Sequence, residues 1–138
     1  MIDPLKLSSQ LAGAGLGAQS LRLRIVAENI ANAQSTAAEA GGDPYSRKTI
    51  TFRTEIDRLT GAASVSTRGI GKDNAPFRIE HDPGNPAADK DGNVKLPNVN
   101  VLVEMADMRE ANRSYEANLQ MIKQTRAMVA SIIDLLRS

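Results

Sequence analysis

The sequence predicts a mainly α fold with a small β or irregular insert: two long terminal helices pair as an antiparallel, coiled-coil-like hairpin, and the insert lies between them. Three observations carry that reading. Five of the six prolines fall between Pro44 and Pro97, and the sixth is Pro4. Neither proline nor glycine occurs from Asn98 to Ser138. Both ends of the chain repeat apolar residues at alternating spacings of three and four, the pattern of helices that pair. The chain therefore divides into an N-terminal helical segment over residues 1–34, an insert over 35–97 and a C-terminal helical segment over 98–138.

The N-terminal helix opens on Asp3, a suitable N-cap, with Pro4 at its first helical position. Leu7, Leu11, Ala14, Ala18, Leu21 and Ile25 form an apolar seam, which Glu28 and Asn32 continue as polar positions. Ala14 and Ala18 are small enough to let a partner helix approach closely. A second apolar stripe follows Ala12, Leu16, Leu23, Val26 and Ile30. Gly13, Gly15 and Gly17 each cost about 1 kcal/mol relative to alanine. The helix is therefore marginal alone and is expected to order when something packs on it.

The insert alternates short apolar runs, such as Ile50-Thr51-Phe52 and Phe77-Arg78-Ile79, with clusters of Gly, Pro, Asn and Asp. Those are short-strand and turn signals.

The C-terminal helix carries the longest pattern. Val101, Met105, Met108, Asn112, Tyr115, Leu119, Ile122, Arg126, Val129, Ile133 and Leu136 form a heptad seam, with Asn112 and Arg126 as its polar interruptions. Polar residues in a seam weaken packing but discriminate between registers. At 1.5 Å per residue this helix is roughly 50 Å long, against a radius of gyration of about 14 Å for a compact chain of this size. Met121, Met128, Ile132 and Leu135 add a second stripe. A two-helix hairpin buries one face of each helix, so the second stripes are expected to stay exposed and mark an interface. The other reading is that the insert folds back and covers them, against which stands its poverty in large apolar residues. Tyr115, the one aromatic residue of either helix, is expected to pack against the Ile25–Asn32 stretch, with Glu28 or Asn32 receiving its hydroxyl.

Composition narrows the function. The 138 residues contain no cysteine, one histidine and 3% aromatics, with a net charge of +1. Disulfides, thiolate chemistry and multi-imidazole sites are excluded, and the charge is far from that of a nucleic-acid binder. No apolar run is long enough to span a bilayer. The N-terminus lacks a basic region followed by an apolar core, so no ordinary secretory signal is expected. Asp89-Lys90-Asp91-Gly92-Asn93 fails the calcium-loop spacing, which requires glycine at the sixth position, and reads as a turn. Gly69-Ile70-Gly71-Lys72 lacks phosphate-loop spacing. His81, between Glu80 and Asp82, reads as a solvated loop residue. Glu55 and Asp57 share one face of a strand without any cleft signal. No catalytic, cofactor or metal site is expected.

Several motifs resemble a known family. Ala27-Glu28-Asn29-Ile30-Ala31-Asn32-Ala33 resembles the N-terminal signature of the axial proteins of the bacterial flagellum, and Pro44-Tyr45-Ser46-Arg47-Lys48 is similar to the segment that follows it, with Ser46 as a departure. Glu104-Met105-Ala106-Asp107-Met108 and Ala111-Asn112-Arg113-Ser114-Tyr115-Glu116-Ala117-Asn118 resemble the C-terminal motif of flagellar rod proteins. The stretch from Pro86 to Val94 and the short insert are similar to the proximal rod members. Thr54 to Arg78 matches nothing recognisable.

The resemblance implies a structural subunit of the basal-body rod that polymerises through its terminal helices into a shaft transmitting torque across the periplasm. It implies contacts with copies of itself, with other rod proteins and with the base. It also implies export through the flagellar type III apparatus without a cleaved signal, and neither nucleic-acid binding nor membrane insertion. The residues expected to carry helix packing and assembly are Leu11, Ala14, Ala18, Leu21, Ile25, Asn29, Ile30, Asn32, Met105, Met108, Asn112, Tyr115, Leu119, Ile122, Val129, Ile133 and Leu136. A helical-hairpin adaptor or export chaperone is the alternative. It differs in being well folded and monodisperse alone.

Overall fold

A computed structural model describes residues 3–137; the outermost positions of the two predicted helical segments, residues 1–2 and 138, lie outside the described residues. Helix α1 spans Pro4–Ala31 and helix α2 spans Val101–Arg137. Between them come strands β1 (Lys48–Ile56), β2 (Ala63–Lys72), β3 (Arg78–His81) and β4 (Asn93–Leu96). The terminal helices are in contact, with small β-hairpins between them in sequence, and the chain is mostly helical.

Local chemistry sets the ends of both helices. Asp3 caps α1: its Oδ1 accepts from the Leu5 N–H at 3.0 Å, ahead of Pro4, whose missing N–H is not needed there. The helix runs without interruption through all three glycines. It ends where the Asn32 amide turns back to the Glu28 carbonyl at 2.8 Å. Asn100 caps α2, accepting from the Leu102 N–H at 3.1 Å. The proline- and glycine-free window therefore begins before the helix does, because Asn98 is committed to the turn ahead of it.

The insert forms two antiparallel two-stranded sheets, β1–β2 and β3–β4. In the first, the Asp57 N–H donates to Ala62 O at 2.9 Å near the tip, and the Asp73 N–H to Arg47 O at 2.8 Å at the base. In the second, Arg78 lies opposite Leu96 and His81 opposite Asn93. Alternation along β4 points Val94 and Leu96 inward, where they meet Ala87 in a small core flanked by Ala37 and Ala88. The tight turn before β4 needs Gly92: its φ is +80°, and a Cβ there would lie 2.9 Å from both His81 and Pro83.

The chain separates into two compact units that cut across the order of its elements. One gathers Met1–Leu23, Thr51–Gly69 and Arg109–Ser138, so it holds most of α1, the outer part of the β1–β2 hairpin and most of α2. The other gathers Arg24–Ile50 and Ile70–Met108, with the end of α1, the base of the hairpin, the β3–β4 sheet and the start of α2.

Candidate functional site

In the second unit, the end of α1 meets the start of α2 through a buried polar cluster. Glu104 is 0% exposed and Asn29 1%. A carboxylate buried so deeply needs partners, and Glu104 has two. Its Oε2 accepts from the Asn29 amide at 3.1 Å, and its Oε1 from Arg47 Nε at 2.5 Å. Arg47 continues to Asp73 at 3.4 Å. Burial works against the guanidinium's charge, but hydrogen bonding and attraction to Glu104, helped by Asp73, hold its pKa above the ordinary arginine value. Asn29 treats Lys48 as a strand treats its neighbour, donating to the Lys48 carbonyl and accepting from its N–H, both at 2.9 Å. The Asn29 carbonyl also receives the Tyr45 hydroxyl at 2.7 Å. Burial, then the charges of Glu28 and Glu104, push that phenol up to about 12. Lys48 pairs with Glu28. Asn98 fastens the strand start, accepting from the Arg47 N–H at 2.7 Å and donating to the carbonyls of Asp73 and Ala75.

In the first unit, α1 and α2 run antiparallel. Arg22 pairs with Glu110 at 3.4 Å, and Gly15 lies under Asn118, whose amide would be 2.7 Å from a Cβ there. Glycine permits this close approach. Ala12 and Ala18 of α1 and Ala111 of α2 are buried as well. Leu7 and Leu11 line an open groove of about 520 Å³ with Ala117, Asn118 and Met121. On another side of α1, Leu7, Leu11 and Ala14 line a cavity of about 310 Å³ with Asp57, Thr60, Ala62 and Ser64 of the hairpin tip.

The intrachain seam of α2 is shifted by one residue from the expected one at three positions. Glu104, Ala111 and Thr125 are buried, with Asn118 half-buried in the same heptad row. Met105, Asn112 and Arg126, each one residue later, are exposed. Met108, Tyr115 and Ile122 are half-buried as predicted seam residues, and so is Leu119. Hydrophobic periodicity selects the larger side chain of each adjacent pair. Close helix approach and buried hydrogen bonds select the smaller or polar one. On α1 the same rotation puts Gly15 rather than Ala14 beneath α2. The expectation for Tyr115 is corrected with it. The Gly15–Asn118 and Arg22–Glu110 contacts bracket Tyr115, so its level on α1 is near Ala18 and not Ile25–Asn32.

Of the residues assigned to packing and assembly, Ala18, Ile25 and Asn29 are buried within the chain. Leu11, Ala14, Leu21, Ile30, Asn32, Met108, Tyr115, Leu119 and Ile122 are half-buried. Met105, Asn112, Val129, Ile133 and Leu136 are exposed. The second stripe of α2 is also open, with Met121, Met128, Ile132 and Leu135 all exposed. The second stripe of α1 is not: Ala12 and Val26 are buried, and Leu16, Leu23 and Ile30 half-buried. The insert does reach α1, through small residues at the hairpin tip. The last third of α2 therefore carries a run of exposed apolar residues, where Leu135 is 75% exposed and Leu136 83%.

The acidic candidates have structural partners. Asp57 caps the hairpin turn; the N–H groups of Thr60 and Leu59 donate to it and lower its pKa. Glu55 pairs with Arg53 at 3.5 Å. Asp89 accepts from the N–H groups of Asp91 and Asn93, as a turn residue does. His81 is exposed beside Asn93. The residues that sequence reasoning missed are Glu104, Arg47 and Tyr45. The signal was a single charged residue, Glu104, in heptad phase with the small or polar Ala111, Asn118 and Thr125.

Residues 90–135 match the family model described as the C-terminal part of the flagellar basal body rod FlgEFG proteins. The chain is 61% identical to the flagellar basal-body rod protein FlgC of Agrobacterium fabrum over 99% of both chains. It is 38% identical to the FlgC of Salmonella typhimurium, covering 91% of this chain and 92% of that one. With the FlgC of Borreliella burgdorferi it shares 36%, over 94% and 96%.

Proposed function

Because the chain belongs to the FlgC family of flagellar basal-body rod proteins, we propose that it assembles through the exposed apolar side of α2, with copies of itself and with other rod proteins, into the periplasmic drive shaft. It is a structural rod subunit and not an enzyme, which sets the adaptor reading aside. No helix among the described residues is long and apolar enough to cross a membrane.

The observation that supports this route is the run of Met128, Val129, Ile132, Ile133, Leu135 and Leu136, all exposed on one helix. Patches of that kind on a structural subunit mark contacts with neighbours. In this reading residues 1–34 and 98–138 are the part that packs within the shaft, and residues 35–97 are the insert it carries. Delivery is through the flagellar type III apparatus. A chain without disulfides, with small hydrophobic clusters, suits passage in an unfolded state.

The test replaces Ile133 and Leu136 together by aspartate. Both are exposed, so the purified subunit keeps its helicity, while the charges in the proposed contact abolish rod assembly and motility. Glu55→Ala, on the hairpin, leaves motility intact. Full motility with Ile133→Asp/Leu136→Asp would place the contact elsewhere.

A further inference from the structure

We propose that Glu104 is the register-determining residue of the helix hairpin: with Asn29 and Arg47 it makes one of several heptad-related pairings of α1 and α2 the one that strands no buried charge. The inference is independent of which face carries assembly.

The rest of the seam is degenerate. On α2 the larger seam residues, Met108, Tyr115 and Ile122, recur every seven residues. The positions between them, Ala111, Asn118 and Thr125, are all small or short. A slip of one heptad superposes apolar on apolar and small on small. Packing alone discriminates weakly against it.

The buried cluster is not degenerate. Slipping α2 by seven residues brings Ala111 to the place of Glu104. Arg47 Nε and one Asn29 N–H then lose their acceptor, and Glu104 leaves its donors. A buried ion pair adds little net stability compared with an apolar pair of the same volume, but removing one partner is strongly unfavourable. That asymmetry is what a register device needs. The cluster also reads a third element. Asn29 holds Lys48 by both backbone groups and Tyr45 by its hydroxyl, and Arg47 stands on the same segment. The helix register is thereby tied to the docked position of the chain entering β1, within one compact unit.

The absence of cysteine allows a direct test in the full-length protein. Ala27→Cys on α1 and Ala106→Cys on α2 are both exposed and carry spin labels, whose separation is read by pulsed electron paramagnetic resonance. The parent gives one narrow distance. The Arg47→Met/Glu104→Met variant, which keeps volume and removes charge, retains the parent's helicity. It acquires a second distance population of comparable size, displaced along the helix by about 10 Å, seven residues of rise. Glu104→Gln keeps an acceptor for Asn29 without the charge and gives a smaller second population. A single unchanged distance in the Met/Met variant would overturn the proposal. So would a broad distribution in the parent, which would mean that no register is selected. Loss of helicity in the Met/Met variant would also overturn it, since the pair would then merely support the fold.

Discussion

Asn29 satisfies all of its amide's capacity at once: two hydrogen bonds donated and two accepted, shared among Glu104, Lys48 and Tyr45. The Tyr45 hydroxyl is the member whose ionisation can be followed. Its pKa is raised from an ordinary value near 10 to about 12, so the unfolded chain loses this proton first. The contribution is therefore complete below pH 10 and disappears as pH rises from there through about 12. At pH 8, Tyr45→Phe should lower stability by about 1 kcal/mol, the worth of one hydrogen bond. In urea denaturation followed by circular dichroism, parent and variant curves should converge as pH climbs between those two values. A constant gap would show that the phenol does not ionise against its acidic neighbours. Asn29 was singled out in the sequence as a packing and assembly residue, but its hydrogen-bond partners were not legible. They lie 16, 19 and 75 positions away, and no spacing rule reaches that far.

Among the elements, α1 shows most clearly that glycine costs depend on surroundings. A Cβ added at Gly13 or Gly17 meets nothing within 4 Å, whereas at Gly15 it meets the Asn118 amide. Gly13→Ala should therefore stabilise the isolated subunit by about 1 kcal/mol, and Gly15→Ala should gain less or lose stability as Asn118 is displaced. Equal gains at both, measured by thermal denaturation, would mean that the helices do not meet at Gly15. The helices themselves were legible because proline placement and heptad spacing are local signals. The α2 seam was half legible. Its rows through Met108, Tyr115 and Ile122 follow apolar periodicity, but Glu104, Ala111 and Thr125 are chosen by closeness and hydrogen bonding, which hydrophobicity does not measure. Strand β1 was legible in Ile50-Thr51-Phe52, but β2 was hidden for a related reason. Along β2, Ser64 and Ser66 are the half-buried residues while Val65 and Ile70 are exposed, the reverse of what alternation rewards.

At the scale of the whole molecule, burial is unevenly shared. The second unit holds both the buried cluster, where the end of α1 meets the start of α2, and the small β core of Ala87, Val94 and Leu96. By contrast, every described residue of α2 from Arg126 onward is exposed, although the sequence there is apolar. An exposed helical end with few buried contacts opens readily, whereas a helix packed between neighbours does not. A structural subunit that completes its burial on assembly therefore has a gradient of order along α2 when alone, and loses that gradient in the rod. Hydrogen exchange of the backbone amides, read by mass spectrometry on the purified subunit and on isolated basal bodies, measures this directly. The account predicts slow exchange at residues 24–31 and 101–111 in both states, with residues 126–137 exchanging rapidly in the free subunit and strongly protected in the rod. Equal exchange of residues 126–137 in the two states would contradict it.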